Sequence, residues 1–487
     1  MSTATPDYSS PDFDKFKAKW MKVDACLGGT EAMRRLVTPQ RDSVYLPQFP
    51  LENDEVYRRR IEMSTFYPAY SDTLDGIVGT ILRKPIRLGD NVIPPIARDA
   101  ENIDNAGTHF EVFAHRLLRT AIHYGAAYVL VDMGKRPDGV LDAAQASAIN
   151  FRPFWLLYSA RELANWPRYV VINGAPTLQQ IVFREQASVP DGFGERLLNR
   201  YRVWRLPVEQ RPNGEYYRAG NAQWEIWEEQ EPTKRRRASA KLTQKLALID
   251  SGNSPLSDIP VAVLNANPSL DDSRTSEGPV LLDLANLNIK LYQMESDHEN
   301  NLHLCTPIPY SVNLRTENGM QESFAWGAGL MFHTDAGGGI SYAEPSGSGL
   351  AERRAWMLGI REQLLDMGLA LAVEGSQKAG MTATESMLRA GRRASRLTQI
   401  ARAFQDCFEQ ALYFHARWKG EQDGGEISLG VRDSDLVLSP QDIGVYSQLQ
   451  EKRQISLQTL WAMMQRGGLL PDEFDSETER SRVTIGM

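Results

Sequence analysis

The sequence predicts an α+β protein, and three observations support that fold class. Apolar residues have helical spacing in the first part of the chain, for example at Leu74, Ile77 and Ile81. From 126 to 265 they form short β-branched and aromatic runs separated by Gly, Pro, Asn and Asp, the pattern of antiparallel strands. After residue 278 the helical period returns in long runs. A chain of 487 residues has room for several domains.

The helices of the first part are predicted from their own boundaries. Phe13–Leu27 has apolar residues at helical spacing and stops at two glycines. Residues 52–82 predict two helices separated at Pro68, and residues 108–124 predict another. In the strand-rich part, Asn173-Gly174 predicts a hairpin turn, because both residues tolerate the positive φ that a type I′ turn requires.

Three long helices are predicted after residue 278. The run at 279–304 would be about 39 Å long at a rise of about 1.5 Å per residue. A glycine-rich insert with short strands follows at 305–346, and a second helix is predicted up to Val373. Two glycines then interrupt the pattern before a third helix that ends near Trp418. Long helices with polar residues on several sides need partner helices to cover their apolar stripes.

The net charge of −8 disfavours a tight DNA clamp, which is usually basic on its binding face. An acidic wall repels phosphate and is compatible with a conduit. The three cysteines are far apart and form no CxxC pair, so reduced thiols are expected. The N-terminus lacks a signal-peptide pattern, and the longest apolar stretch, Met367–Val373, is too short to cross a bilayer. We expect a soluble protein that is made in the cytoplasm.

No motif for catalysis, metal binding or cofactor binding is present in the sequence. His298 and His303 are five residues apart, whereas a helical zinc motif needs i and i+4 spacing. The Gly327–Gly329 and Gly337–Gly339 runs lack the Gly-Lys-Ser/Thr ending of a phosphate loop. The basic run Lys234–Arg237 follows an acidic run and is typical of a solvated loop. We therefore expect no enzyme and no cofactor.

Four arginines form one stripe on the third long helix, since their spacing is i, i+3, i+4 and i+7. A solvated face and a subunit contact are both open interpretations, with DNA contact a smaller part of the second. A neighbouring subunit would oppose this stripe with carboxylates such as those of Glu362 and Asp366. The four residues are Arg389, Arg392, Arg393 and Arg396.

Two sequence phrases and the order helix, insert, helix, hinge, helix resemble one protein family. The phrases are YLPQFPLENDEVYRRRIEMSTFYPAYSDTLDGIVGTILRKP near the N-terminus and ATESMLRAGRRASRL before the third long helix ends. They are similar to portal proteins of tailed double-stranded DNA bacteriophages, in a portal-like group whose members often have only an uncharacterised-domain label. The resemblance covers most of residues 20–470.

The resemblance implies a division of the chain into an α/β wing, two stem helices, a small β-containing clip, a channel loop and a short helical C-terminal crown. The implied bounds are 1–278 for the N-terminal helical and β-rich wing, 279–304 for the first stem helix, 305–346 for the clip, 347–373 for the second stem helix, 374–383 for the channel (tunnel) loop, 384–438 for the long helix and wing return, and 439–487 for the crown-like region. The crown of this chain is short compared with that of larger portals.

The resemblance also implies the function. Portal subunits form a homododecameric ring at one capsid vertex of the virion, through which DNA is packaged and ejected. The implied partners are other copies of the chain, the terminase large subunit, a head–tail adaptor, the major capsid and scaffolding proteins, and double-stranded DNA that passes without sequence specificity. No membrane and no ATP site are expected, and the chain would be made in the host bacterial cytoplasm.

Two sets of residues are expected to act in such a ring. The channel loop would face DNA and would present Lys378 as its only cation. Its residues are Gly375, Ser376, Gln377, Lys378, Ala379 and Gly380. Subunit contacts are expected at the apolar stem residues Leu287, Leu291, Trp356 and Leu364, and at the four arginines of the stripe.

Two other classes remain as alternatives. A head–tail adaptor or minor capsid protein would share the acidity and the helix content, but adaptors are usually shorter and lack two long helices around an insert. A nucleic-acid enzyme with a dispersed active site is supported only by ordinary Asp and Glu content. A ring in electron micrographs would favour the portal, and metal-dependent nuclease activity that is lost on one Asp or Glu change would favour the enzyme.

Overall fold

The structure is a computed structural model. It describes residues 5–35, 44–135, 149–230, 246–272, 274–304, 308–314, 334–343, 348–372, 383–429, 440–452, 454–466, 470, 474–476 and 479–480, with the backbone alone at 303–348, 369–395 and 440–445 and at 466. Helices and strands are both abundant, which confirms the predicted α+β class.

The elements are numbered in chain order. The helices are α1 Pro11–Leu27, α2 Gly29–Arg34, α3 Asp54–Met63, α4 Ala69–Ile81, α5 Pro94–Asp99, α6 Phe110–Tyr124, α7 Leu282–Leu304, α8 Ser348–Ala372, α9 Ala383–Trp418, α10 Pro440–Glu451 and α11 Leu457–Arg466. The strands are β1 Arg87–Leu88, β2 Ala126–Asp132, β3 Phe154–Ser159, β4 Arg168–Ile172, β5 Ala175–Asp191, β6 Gly194–Arg205, β7 Val208–Gln210, β8 Tyr216–Arg218, β9 Gln223–Glu229, β10 Leu246–Asn253, β11 Val261–Asn265, β12 Ile308–Leu314, β13 Thr334–Ala343 and β14 Ile427–Ser428. The predicted helix break at Pro68 and the three long C-terminal helices are confirmed.

The chain divides into two compact units. The sheet unit contains Met1–Val23, Ser71–Leu282 and Gly368–Met487, and the helical unit contains Asp24–Tyr70 and Asp283–Met367. In this division residues 24–70 group with the long helices rather than with the strands. The physical reason is a set of buried hydrogen bonds between that segment and α7, described below.

The sheet unit is built on two sheets. Strand β2 is buried along its whole length and pairs with β3 and β11 in an antiparallel three-stranded sheet. The larger sheet has the order β10-β9-β6-β5-β4-β8-β7 and is antiparallel except for one parallel bridge between β4 and β8. Strands β4, β5 and β6 are consecutive neighbours, whereas β9 and β10 extend the sheet beyond β6 and the β7–β8 pair joins at β4. The antiparallel pairing agrees with the pattern of apolar runs separated by turn residues.

The core of the sheet unit joins helices to both sheets. Phe113 of α6 and Phe408 of α9 pack edge-on against Trp155 of β3, with ring centroids 5.6 and 5.0 Å apart. Trp20 of α1 is 1% exposed, and its indole Nε1 donates to the carbonyl oxygen of Tyr124 at 3.1 Å. A satisfied indole N–H allows this large side chain to be fully buried.

Two turns of the sheet unit follow from local sequence. Asn173 and Gly174 have φ values of 50° and 79° and connect β4 to β5, which confirms the predicted hairpin turn. Helix α6 ends at Gly125 with φ 91°, where a Cβ would lie 2.2 Å from the carbonyl oxygen of Gly278. Only glycine fits at this position, because the backbone is left-handed and another backbone approaches closely.

After α9, Ile427–Ser428 forms the short strand β14, which pairs with Arg87–Leu88 of β1. Residues 430–439 lie outside the described part of the chain. The strand that pairs with β14 is more than three hundred residues away in the sequence. Local sequence patterns do not predict a pairing between segments so far apart.

The helical unit is organised around α7. Asn288 is fully buried, and its amide accepts a hydrogen bond from the Tyr70 backbone N–H at 3.2 Å and donates to the Tyr67 carbonyl oxygen at 3.0 Å. The hydroxyls of Ser64 and Ser296 are 2.7 Å apart. These bonds satisfy buried polar groups on both partners and attach residues 24–70 to α7.

Candidate functional site: a groove between two long helices

One face of α7 is covered by residues of its own chain. Residues at i, i+3, i+7 and i+11 lie on one side of a helix with 3.6 residues per turn. On α7 the four residues at this spacing are between 0 and 2% exposed, and their neighbours come from residues 26–70. They are Ala285, Asn288, Tyr292 and Ser296.

Another face of α7 forms a groove with α8. The groove has a volume of about 800 Å³ and combines apolar walls with a polar rim. Spacings of three and four residues put each set on one helix face. The lining residues are Asp283, Asn286, Leu287 and Lys290 of α7 and Trp356, Gly359, Ile360, Gln363 and Met367 of α8.

Helix α8 exposes apolar side chains to an unusual degree. Between 349 and 368, only Ile360, Leu364 and Gly368 are buried. Trp356 is 64% exposed, and Leu358 and Leu365 are 52% and 42% exposed. Single exposed apolar residues are ordinary, but a large indole beside an apolar groove is typical of an interaction surface.

Carboxylates on the second half of α7 are partly desolvated. Burial raises the pKa of Glu295, although Arg361 opposes the change. Burial also raises the pKa of Asp297, with Arg60 and Arg353 acting in the opposite direction. The Arg60 guanidinium is 3.7 Å from the Asp297 carboxylate. Arginines of the helical unit therefore act on these two carboxylates of α7, whereas Asp283 and Lys290 are the charged residues that line the groove.

A second titratable cluster lies in the sheet unit. The Trp155 indole N–H donates to His415 Nδ1 at 3.2 Å, and His415 Nε2 is 2.9 Å from the Asp99 carboxylate. Because an indole only donates, His415 must accept at Nδ1 and donate from Nε2, which defines a neutral imidazole. Burial lowers the pKa of His415, although Asp99 opposes that effect. Both ring nitrogens have hydrogen-bond partners and the side chain is fully buried, so this histidine joins α9 to the core of the sheet unit.

The structure places the predicted subunit-contact residues in two different environments. Leu291 and Leu364 are 1% and 0% exposed within a single chain, so their side chains pack inside the helical unit. Leu287 and Trp356 line the groove. All four lie on α7 or α8, but sequence spacing alone did not separate the two environments.

The arginine stripe and the channel loop lie partly or wholly outside the side chains that the structure describes. Arg389, Arg392 and Arg393 lie on α9 where only the backbone is described, and Arg396 is exposed. The channel-loop prediction at 375–380, with Lys378, lies outside the described residues, as does the basic run at Lys234–Arg237. Within the predicted clip, β12 and β13 form an antiparallel hairpin.

Sequence reasoning missed one surface feature. Leu51 is 100% exposed at a turn of the helical unit, beside a buried ion pair between Glu52 and Arg60. The Phe-Pro-Leu-Glu sequence around it contains a turn signal, since Pro favours the second position of a β-turn. The sequence gives no sign that the leucine is left uncovered.

No group of three or more His, Cys, Asp or Glu side chains among the described residues is arranged to hold a metal ion. None of the described helices combines the length and the apolar character needed to cross a membrane.

Comparison with known proteins gives a family match and a structural likeness. The family model described as "Domain of unknown function (DUF4055)" matches residues 280–419, a span that includes α7, α8 and α9. No curated protein matches the sequence. A solved chain from "Virion of native gene transfer agent (GTA) particle" is 14% identical, with a TM-score of 0.38, covering 86% of this chain and 90% of that chain. A TM-score of this size is a weak likeness.

Proposed function

We propose that this chain is a structural protein of a phage-like virion and, more specifically, a portal subunit. In this role, copies of the chain form a ring at one capsid vertex, and DNA passes through the central channel during packaging and ejection. The proposal begins from the resemblance of most of residues 20–470 to portal proteins. It gains support from the order of α7, the β12–β13 hairpin and α8, which corresponds to two stem helices around a clip.

The observation that carries the proposal is the uncovered apolar surface of α8. Trp356 is 64% exposed beside a groove of about 800 Å³, and Leu358 and Leu365 are exposed on the same helix. Covering one such side chain contributes roughly 1.5–3 kcal/mol, so a surface of this kind favours association. In a ring each copy would cover the groove of a neighbour, and symmetry would repeat the gain at every interface.

The charge distribution supports a conduit rather than a clamp. The two segments of the helical unit, 24–70 and 283–367, contain eleven Lys and Arg and eighteen Asp and Glu residues, so they contribute seven of the eight net negative charges of the chain. An acidic surface repels phosphate and limits sticking of DNA that must slide. We propose that this unit contributes to the channel wall.

The remaining assignments belong to the same proposal. The chain would act without catalysis and without a cofactor, because the motor that hydrolyses ATP would be a separate protein. Residues 305–346 would meet the terminase and later the adaptor. The loop at 374–383 would face the channel, with Lys378 making brief phosphate contacts that salt screens.

The test is the oligomeric state of the purified chain. We expect light scattering to give one large species and negative-stain microscopy to show rings with a central hole. A monomer at micromolar concentration, in buffers with 50–500 mM salt, would contradict the portal role. A closed assembly without a channel would leave an adaptor or minor capsid protein as the better description of this chain.

A further inference from the structure

The segment 45–53 is a surface loop that is held unusually firmly. Arg60 and Glu52 form an ion pair in which Arg60 Nε is 2.7 Å from Glu52 Oε1, and their side chains are only 3% and 4% exposed. Arg60 also donates to the Pro47 carbonyl oxygen at 2.9 Å and stacks on the Phe49 ring at 4.3 Å. A buried, multiply bonded guanidinium of this kind fixes the geometry of the loop around it.

Further bonds attach the same loop to the helices beneath it. The Tyr57 hydroxyl donates to the Leu46 carbonyl oxygen at 2.7 Å. The Gln293 amide of α7 donates to the Tyr45 carbonyl oxygen at 2.9 Å. The loop therefore has its conformation set by α3 and α7 before any partner arrives, which lowers the entropy cost of binding.

The tip of this loop is an apolar turn. The Glu52 backbone N–H donates to the Phe49 carbonyl oxygen at 3.0 Å, which closes a β-turn with Pro50 and Leu51 at its centre. Leu51 is 100% exposed and Phe49 is 42% exposed. We call residues 49–51 the Leu51 turn. A rigid loop that presents a fully exposed leucine is suited to inserting that side chain into an apolar site.

The helical unit also contains a site of the matching kind. The groove between α7 and α8 is walled by Leu287, Trp356, Ile360 and Met367. Because Leu51 is fully exposed, the Leu51 turn does not occupy the groove of its own chain. The groove lies along Asp283–Lys290 of α7, whereas the loop is bonded to α7 at Gln293, about 9 Å beyond Leu287 at 1.5 Å per residue. The two surfaces are thus separate patches of one compact unit.

Both patches have charged residues of both signs beside them. The groove rim has an anion and a cation, Asp283 and Lys290. Beside the Leu51 turn, the exposed residues of α3 are acidic at Asp54 and Glu55 and basic at Arg58 and Arg59. A partner that presents the turn to the groove can therefore pair opposite charges on both sides, which specifies orientation more than it adds affinity.

We infer that the Leu51 turn of one copy docks in the α7–α8 groove of a second copy. The contact joins two different patches and is therefore heterologous, so repetition gives a closed ring or an open filament rather than a two-fold dimer. This inference rests on the proposed oligomer and identifies the surfaces that build it. It makes Leu51 and Trp356 the central residues of the interface, with the charged residues at its edge.

The experiment uses two single variants of the full chain, Leu51→Glu and Trp356→Glu, with Leu270→Glu as the matched control. Leu270 is 98% exposed in the sheet unit and has no place in the contact. All three changes replace an exposed apolar side chain, so circular dichroism and melting should match the wild type. We expect both interface variants to need protein concentrations at least about tenfold higher to assemble, since burial of one such side chain contributes a tenfold or larger change in Kd.

Mixing the two variants gives the decisive result. Leu51→Glu retains an intact groove, and Trp356→Glu retains an intact turn, so one productive contact remains between them. An equimolar mixture should form a one-to-one dimer by mass photometry and should not form the wild-type assembly. A mixture that remains monomeric, or that restores the large species, overturns the inference.

Two other outcomes separate this inference from the proposed function. If the wild type assembles and both variants assemble equally well, the docking contact is wrong and the ring proposal survives. If the wild type is monomeric, the ring proposal itself fails. If either glutamate variant fails to fold, a cysteine pair tests the same contact. Leu51→Cys and Trp356→Cys, each in a Cys305→Ser background, are mixed and mildly oxidised, and we expect an intermolecular disulfide between them. If the assembled protein forms no such disulfide, the contact is rejected.

Discussion

Helices α8 and α9 are both long, but they use their apolar residues differently. On α9 of the sheet unit, the apolar face between Ile400 and Ala416 is buried, with Phe404 and Phe408 at 0 and 1% exposure. On α8, most side chains between 349 and 368 are exposed, including Trp356. One helix thus completes a core within the chain, whereas the other leaves apolar side chains uncovered, and this is the surface that we propose for assembly.

The two units also differ in charge. The helical unit contributes seven of the eight net negative charges, although it is much the smaller of the two. The sheet unit is close to neutral and contains large aromatic side chains that are fully buried, such as Trp20, Trp155 and Trp204. We therefore expect the sheet unit to determine stability and the helical unit to determine assembly.

The largest expected effect is on the stability of the sheet unit. Phe408→Ala should lower the free energy of unfolding by about 3–5 kcal/mol, because it leaves a cavity beside Trp155 and Phe404. Urea unfolding followed by far-UV circular dichroism measures this loss. Val112→Ala is the control, since Val112 is 55% exposed on α6. A loss below about 1 kcal/mol would show that α9 is not part of a closed core.

The next effect lies in the helical unit. Arg60→Met should cost about 3–5 kcal/mol, because the buried carboxylate of Glu52 loses its cation. The exposed neighbour provides a control, Arg59→Met, which should change stability by less than about 0.5 kcal/mol. The double variant Glu52→Leu/Arg60→Met should recover much of the loss. If Arg60→Met unfolds at the wild-type urea concentration, the loop is not held by this ion pair.

A smaller effect concerns pH and the sheet unit. The pKa of folded His415 is lowered by burial, whereas an unfolded histidine takes up a proton near about pH 6.5. Below about pH 6.5 the unfolded state therefore binds a proton at this histidine that the folded state does not bind. The free energy of unfolding then decreases as the pH falls, whereas well above pH 6.5 this histidine is neutral in both states. The melting temperature should decrease between pH 7.5 and 5.5.

The matched variant for this effect is His415→Gln. A glutamine can accept from the Trp155 N–H and donate to Asp99 without a titrating proton. Its melting temperature should depend less on pH over the same interval than that of the wild type. Equal pH dependence in the two proteins would mean that other groups cause the decrease.

The smallest expected effect on folding is at the interaction surface. Trp356→Ala should change the free energy of unfolding by less than about 0.5 kcal/mol, because the indole is 64% exposed. The same variant should weaken assembly in sedimentation velocity. The pair Phe408→Ala and Trp356→Ala thus compares the two helices directly: one aromatic should matter for folding and the other for association. A large folding defect in Trp356→Ala would remove that distinction.

Local patterns predicted most of the elements correctly. Pro68 separates two helices, Asn173-Gly174 forms a hairpin turn, and the change of period near residue 126 marks the start of β2. These features depend on short-range sterics and on the side-chain period, which are written in a few adjacent residues. The same reasoning could not give the pairing of β1 with β14 or the grouping of residues 24–70 with α7.

The candidate surface was predicted only as a set of apolar positions. Leu287, Leu291, Trp356 and Leu364 share helical spacing, yet Leu291 and Leu364 are buried within one chain and the other two line the groove. Periodicity identifies the apolar side of a helix, but the neighbour that covers it comes from residues distant in sequence. Leu51 is an apolar residue that no neighbour covers, because the loop that contains it is held in place by Arg60.

By itself the sequence determined the α+β class, most of the helix and strand positions, the acidic balance and the absence of recognisable catalytic motifs, because these follow from composition and local period. Only the tertiary structure decided which apolar residues are covered, how Asp99, Trp155 and His415 meet, and where an apolar turn and an apolar groove are left open. The physical reason is that burial and charge pairing depend on contacts between distant segments. Those contacts are set by the packing of the whole chain and not by any short stretch of it.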